Sequence, residues 1–169
     1  GTFQPIKSQN ISAHPMHNEQ VWVNKKNIEN LIEANKIIAV GTTSMRTIES
    51  LYWFGVKLIN NESEFLIDKS DPYKFETVER NKALTAVLDF MKRSDLEKIG
   101  GHTEIFIYPG YKFQMCDGLI TNYHLPGSTL ILLVSAFIGE DWRKVYESAL
   151  SEDYRFLSYG DSSLLLPRR

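Results

Sequence analysis

Cysteine is nearly absent from this chain. The single Cys116 excludes an internal disulfide, so packing and hydrogen bonds must hold the 169 residues together. Long apolar runs are missing as well. The longest, Leu130 to Ile138, is interrupted by Ser135 and falls short of the roughly 20 residues of a membrane span, so it reads as a buried helix and excludes a membrane partner. No basic-then-apolar leader opens the sequence, which points to a cytoplasmic location. Nor is there an excess of one charge. The net charge of −2 supplies no general attraction to nucleic acid, so any RNA contact must come from a local patch, with Lys25, Lys26, Arg168 and Arg169 as candidates. A starting methionine is also lacking. Gly1 leads straight into the apolar, turn-rich GTFQPI, which points to a missing amino-terminal portion.

What is present suits one globular core: 43% of residues are hydrophobic and 12% aromatic, far above a disordered composition. Val21 and Val23 alternate around Trp22 as in a strand, and Asn24 is placed to cap a helix carrying Ile28, Leu31 and Ile32. The run KIIAV, ending at Gly41, predicts a second strand, and TTSMRTIESLYWF a helix with Ser or Thr available as its cap. Asn60 to Tyr73 is polar and turn-prone around a short strand at Phe65 to Ile67. It opens a variable insertion reaching from about 60 to 100. A helix from about Thr77 to Arg93 places Leu84, Val87, Leu88 and Met91 on one face, with Gly100 and Gly101 closing that region. Glu104 to Tyr108 reads as a strand stopped by Pro109 and Gly110. Gly118 to Thr121 reads as another, followed by helices from about Ser128 and from Asp141, and by a closing strand at Ser163 to Leu166. Alternating strands and helices predict an α/β fold, a mixed or mostly parallel sheet with helices on both faces.

Ligands of open α/β sheets bind beyond the carboxyl ends of the strands, and several segments are placed for that role. Gly41 to Ser44 (GTTS) lies between a strand and a helix, where free backbone N–H groups can meet an anion, although a well-capped helix explains the same residues and the lysine of a P-loop is lacking. In Thr121 to Ser128, Asn122 and His124 donate and accept, and Tyr123 offers an aromatic face. The alternative is a shaped turn with Ser128 or Thr129 as cap and a structural histidine. In Tyr154 to Asp161, Arg155 suits an anion and Asp161 a proton or a ligand hydroxyl, unless the two form a structural ion pair. His14, His17 and Glu19 lie close enough to suggest a metal. No Cys or Asp cluster completes a coordination set, however, and a His beside a Glu equally suits proton transfer, so no metal site is expected.

The runs GTF, HPMHNE, VGTTSMRTIES, TEIFIYPGYKF, DGLITNYHLPGSTLILLVSAFIG and YRFLSYGDSSLL resemble, in the same order, the motifs of the S-adenosylmethionine:tRNA ribosyltransferase-isomerases. The resemblance implies that residues 1–169 form the carboxyl-terminal portion of that family's α/β domain, with its β-barrel domain absent from this chain. Gly127 stands where many members look lysine-bearing, and Ser162-Ser163 replaces a more usual Ala-Met pair, as in a divergent branch.

It further implies a reaction in which the ribosyl part of S-adenosylmethionine passes to 7-aminomethyl-7-deazaguanine in tRNA, giving epoxyqueuosine and releasing adenine and methionine. S-adenosylmethionine is then a substrate rather than a cofactor. The sulfonium acidifies the adjacent ribose carbon, which asks for a base, and departing adenine asks for a proton donor. On that chemistry the expected proton-handling residues are His124 or His17, with Glu19 beside His17 and Asp161 as carboxylate partner. Thr42, Thr43, Ser44 and Asn122 are expected to bind substrate, Arg46 and Arg155 to meet anions, and Tyr111, Tyr123 and Tyr159 to face the sulfonium. Two rival readings are a non-catalytic module retaining S-adenosylmethionine or tRNA affinity and a phosphotransferase using the GTTS loop.

Overall fold

The computed structural model describes residues 18–167. His17, Arg168 and Arg169 lie outside that range. The chain begins with β1 (Glu19–Asn24), whose Val21 and Val23 are buried while Trp22 is exposed, as its alternation requires. Helix α1 (Lys25–Glu33) follows; Asn24 stands at its N-cap position, but its side chain makes no capping bond. Next come β2 (Ile38–Val40) and the long α2 (Thr42–Ile59), then β3 (Leu66–Ile67) and a short 3-10 turn at Asp71–Tyr73. Helix α3 (Arg80–Arg93) starts later than the apolar pattern suggests. The Glu79 carboxylate fixes the start by accepting the N–H groups of Asn81 and Lys82 at 2.9 and 2.8 Å. Strand β4 (Lys98–Thr103), β5 (Gly118–Asn122), α4 (Thr129–Ile138), α5 (Asp141–Ser151) and β6 (Ser162–Leu165) complete the order.

The α/β class stands, and the pairing is mixed. The strands form two three-stranded sheets, β1-β4-β3 and β2-β5-β6, each containing one parallel and one antiparallel pair. Helix α2 joins them into one core. Its residues Tyr52, Trp53 and Phe54 are almost wholly enclosed, each contributing on the order of 2–3 kcal/mol of burial. Gly55 lets α3 close on α2, because a Cβ there would meet the Ala83 carbonyl oxygen at 2.2 Å. Among the described residues, no helix is long and apolar enough to cross a membrane.

Two expectations are corrected. Gly100 and Gly101 do not end a region but lie inside β4, the central strand of its sheet, where Gly101 leaves room for the Phe65 ring and Gly100 for Trp22. With α3 on α2 and β4 central, the stretch from 80 to 103 is built into the core. Glu104 to Tyr108 is not a strand. Ile105, Phe106 and Ile107 are buried in succession instead of alternating, and the Ile105 backbone is held by side chains, its N–H by Thr103 Oγ1 and its carbonyl by Arg46.

Candidate active site

Strands β2 and β5 run parallel with Val40 opposite Ile120, and the Gly41 N–H continues the ladder to the Ile120 carbonyl at 2.8 Å. Their carboxyl ends therefore open on one edge. Strand β6 pairs antiparallel with β5, Asn122 opposite Ser162, so the segment entering β6 arrives at that same edge. The three motif segments, Gly41 to Ser44, Thr121 to Ser128 and Arg155 to Asp161, thus converge where an α/β sheet places its ligands.

Gly41 itself is the N-cap of α2, in a left-handed region (φ 88°) that an L side chain rarely adopts, so the expected Ser or Thr cap gives way to glycine. Thr42, Thr43 and Ser44 occupy the first turn of the helix. Thr42 is buried; Thr43 and Ser44 face a groove of about 560 Å³ shared with Trp22, Asn27, Asn30 and Lys36.

In the second segment, the Asn122 amide donates to the carbonyls of Gly160 and Asp161 and to Ser162 Oγ at 3.2, 3.3 and 3.3 Å. It ties the two loops together. Tyr123 shows no open face: its ring is 7% exposed and packs against Tyr146, Tyr154 and Phe156, while its carbonyl accepts the Leu157 N–H at 2.9 Å. His124 is partly buried. Its Nε2 lies 2.9 Å from Thr121 Oγ1, its backbone N–H donates to the Tyr146 hydroxyl at 3.1 Å, and Nδ1 has no partner among the described residues. Burial pushes its pKa below the ordinary histidine value, which favours the neutral ring. Ser128 stands at the N-cap position of α4, but its hydroxyl turns back to the Leu125 carbonyl at 2.9 Å.

The third segment closes on itself. Asp161 accepts the Arg155 N–H at 2.8 Å and the guanidinium at 3.2 and 3.4 Å, which is the ion-pair alternative for these two residues. Hydrogen bonds from the Arg155 side chain and backbone hold the Asp161 carboxyl below the usual range, and the bond to Asp161 raises Arg155. Asp161 is therefore a fixed negative charge more readily than a proton acceptor. Tyr159, 97% exposed, is the expected aromatic that does present a free face.

Arg46, one turn into α2, is 4% exposed. Its Nη1 pairs with Glu19 Oε1 at 2.5 Å and its Nε donates to the Ile105 carbonyl at 3.3 Å, so Glu19 is engaged before any ligand arrives. Nη2 is buried with no hydrogen-bond partner among the described residues. Beside it runs a small cavity lined by Ile105, Ile107 and Thr129. An orphaned guanidinium edge costs about 1–3 kcal/mol unless something accepts from it.

Tyr111 is also enclosed, with its hydroxyl given to Glu49. The sequence reading passed over Glu49. Its side chain is wholly buried and collects the Tyr111 hydroxyl (2.7 Å) and the N–H groups of Gln114 (3.0 Å), Met115 (3.0 Å) and Cys116 (3.1 Å). Burial raises its pKa against the pull of those donors, and also raises the Tyr111 hydroxyl and the Cys116 thiol. The signal was a carboxylate four residues from both Met45 and Trp53, on the buried face of α2. Among the described residues, no group of three or more His, Cys, Asp and Glu side chains is gathered to hold a metal ion.

The chain is an α/β unit whose three motif loops meet at one sheet edge. Residues 1–165 match the family described as queuosine biosynthesis protein, and the chain belongs to that family. It is 39% identical over 171 residues to the S-adenosylmethionine:tRNA ribosyltransferase-isomerase of Thermoanaerobacter sp. (strain X514), and 38% identical to that of Legionella pneumophila (strain Corby). In both cases the match covers 98% of this chain and 39% of the relative, so the chain spans about two fifths of their length. The crystal structure of S-adenosylmethionine tRNA ribosyltransferase from Thermotoga maritima superposes with a TM-score of 0.57 at 32% identity, covering 87% of this chain and 40% of that one.

Proposed function

We propose that this chain forms the carboxyl-terminal portion of the α/β domain of a cytoplasmic S-adenosylmethionine:tRNA ribosyltransferase-isomerase, whose turnover also needs the portion that the longer relatives carry and this chain does not span. The enzyme would move the ribosyl part of S-adenosylmethionine onto 7-aminomethyl-7-deazaguanine in tRNA and isomerise it to epoxyqueuosine, releasing adenine and methionine. S-adenosylmethionine is consumed as substrate, and no cofactor enters. The observation that carries this reading is the meeting of GTTS, TNYHLPGS and YRFLSYGD at one sheet edge in a member of the queuosine family.

Under this reading each residue has a distinct task. His124, favoured neutral by burial and with no partner for Nδ1 among the described residues, accepts the proton from the ribose carbon that the sulfonium acidifies. His17 remains the second proton-handling candidate, with Glu19 two residues on in the chain. Thr43 and Ser44, exposed on the first turn of α2 where helix N–H groups lack an intrahelical acceptor, bind polar substrate groups, and Arg46 is kept as the anion candidate although its guanidinium is almost wholly buried. Tyr159 offers the sulfonium its aromatic face. Asn122, Tyr123, Arg155 and Asp161 hold the loops in place, and Thr42 and Tyr111 act from within the packing. For tRNA, Lys25 and Lys26 are already paired with Glu97 and Glu29 at 3.4 and 3.5 Å.

The test is mass spectrometry of adenine released by a polypeptide in which this chain replaces the matching part of the Thermoanaerobacter relative, given S-adenosylmethionine and tRNA carrying the aminomethyl base. Release that depends on that tRNA is expected; none, or release without tRNA, overturns the reading. The chain's span of only 39% of its relatives favours a second reading for the isolated chain, a module that binds without turning over. Calorimetric titration with S-adenosylmethionine that shows binding but no product would identify it.

A further inference from the structure

Two strand edges are open, and they border the same groove. In β1, the Lys25 N–H donates to the Glu97 carbonyl at 3.0 Å, just beyond the Asn24–Lys98 pair. Antiparallel alternation then turns the backbone groups of Val21 and Val23 toward β4 and those of Gln20, Trp22 and Asn24 away from it. In β2, the Ile37 carbonyl accepts the Gly118 N–H at 3.2 Å and the Gly41 N–H donates to Ile120 at 2.8 Å, so Ile37, Ala39 and Gly41 face β5 while the backbones of Ile38 and Val40 face outward. Among the described residues no strand lies beyond either edge, since β1 and β2 each end their sheet. Trp22 and Val23 of the one edge and Ile37 and Ile38 of the other line the single groove of about 560 Å³, with Leu31 of α1 and Leu51 of α2 also in its wall.

Free edges are normally blunted by lysine, proline or a bulge, because a row of unpaired N–H and C=O groups captures other strands. Here the outward positions of β2 are Ile38 and Val40, with 47% and 66% of their surface exposed, and Trp22 on β1 is 55% exposed. Apolar, β-branched residues at such positions belong to a strand that is covered. The relatives supply a cover of suitable origin, because this chain spans only 39% of their length.

We infer that a β-strand from the portion of the polypeptide that the longer relatives carry, and this chain does not span, inserts between β1 and β2. It pairs with the outward amides of Ile38 and Val40 on one side and of Gln20, Trp22 and Asn24 on the other, and unites the two sheets into one. This rests on family membership and not on the proposed reaction, and its readout is amide exchange, so it stands or falls apart from turnover.

The experiment compares hydrogen–deuterium exchange, residue by residue, in this chain alone and in a continuous polypeptide where it replaces the matching 171 residues of the Thermoanaerobacter relative. The amides of Ile38, Val40, Gln20, Trp22 and Asn24 are expected to slow by roughly tenfold or more relative to inward-facing Ala39 and Val23 once the remaining polypeptide is present. An unchanged ratio overturns the inference. So does protection in the isolated chain that grows with concentration, which would make a second copy the occupant. As a second measurement, Val40→Pro, which removes an outward N–H, is expected to shift the melting midpoint of the isolated chain by under about 3 °C but that of the longer polypeptide by about 6 °C or more. Equal shifts in the two overturn it.

Discussion

The Tyr111 hydroxyl donates to Oε2 of Glu49 at 2.7 Å and also accepts the indole N–H of Trp53 at 2.9 Å, inside the core. The relationship joins α2 to the loop before β5, since Glu49 is held by three successive backbone N–H groups of that loop as well. The carboxyl in this position fixes the loop that leads into β5.

Glu49→Ala is expected to be among the most damaging single changes, because it leaves a hydroxyl and three N–H groups without an acceptor. The cost is about 3–5 kcal/mol, read as a lower urea midpoint. Tyr111→Phe, which removes one bond, is expected to cost about 1–2 kcal/mol. The pH dependence has a definite sign. The folded pKa of Glu49 is raised above 4.5, so the folded state holds its proton longer than the unfolded state does. Wild type should therefore lose stability relative to Glu49→Gln as pH rises from about 4.5 through the raised value; a difference that is flat with pH would refute the burial account.

Glu49 also shows where the sequence was legible and where it was not. The periodic elements were readable: Val21 and Val23 in β1, the four-residue apolar stripe of α3 and the strand-turn-helix units at Gly41 and Asn122 all lie where their spacing puts them. Local signals failed where long-range partners decide. Glu104 to Tyr108 has strand composition, yet Arg46 and Thr103 hold its backbone, and no pattern within five residues reveals that. Gly100 and Gly101 look like a stop, but the rings of Trp22 and Phe65 need the space that a Cβ would fill. At the sheet edge, the three segments singled out in the sequence do come together. It could not tell that Tyr123 is packed away or that Arg155 already holds Asp161.

His124 should titrate below its ordinary value of 6.5, because its surroundings disfavour the charged ring. A depressed folded pKa means that the unfolded state takes up the proton first. The contribution of His124 to stability is then complete above about pH 6.5 and is lost as pH falls through the folded value, a loss absent from His124→Gln. NMR titration of the ring protons checks the direction. On the proposed function, His124→Ala in a polypeptide where this chain replaces the matching part of the Thermoanaerobacter relative is expected to lower turnover by about 10²–10⁴-fold, and a change of only a few fold would make the residue structural.

Asp161 tests the loop rather than the chemistry. Its carboxyl is held below 3.8 by Arg155, so the bonds that close residues 155 to 161 persist above that pH and are lost only as pH falls through the lowered folded value. Asp161→Ala should speed exchange of the Arg155 and Gly160 amides with little effect on the melting midpoint. On the proposed function, in the same hybrid polypeptide it should raise KM more than it lowers kcat. A large fall in kcat at unchanged KM would show instead that Asp161 takes part in the reaction.

Arg46 and Glu19 form the pair in which stability and binding are easiest to separate. Glu19→Gln keeps an acceptor for Nη1 but leaves the buried guanidinium charge uncompensated, and should cost less than Glu19→Ala, which also removes the acceptor for Nη1, a loss of about 3–5 kcal/mol. Arg46→Met fills similar space without charge and strands Glu19, which can still reach water through its partly exposed side chain, so its cost should be the smaller. The Glu19→Ala and Arg46→Met double variant should then be more stable than Glu19→Ala alone, a sign that a double-mutant cycle reads directly. Binding separates differently: on the proposed function, if Arg46 meets an anionic group of the substrate, Arg46→Met weakens S-adenosylmethionine or tRNA binding in the hybrid polypeptide by about tenfold or more, while Glu19→Gln keeps the guanidinium and leaves binding near wild type. Equal affinity in Arg46→Met would leave Arg46 as the brace between β1, α2 and the Ile105 backbone and nothing more.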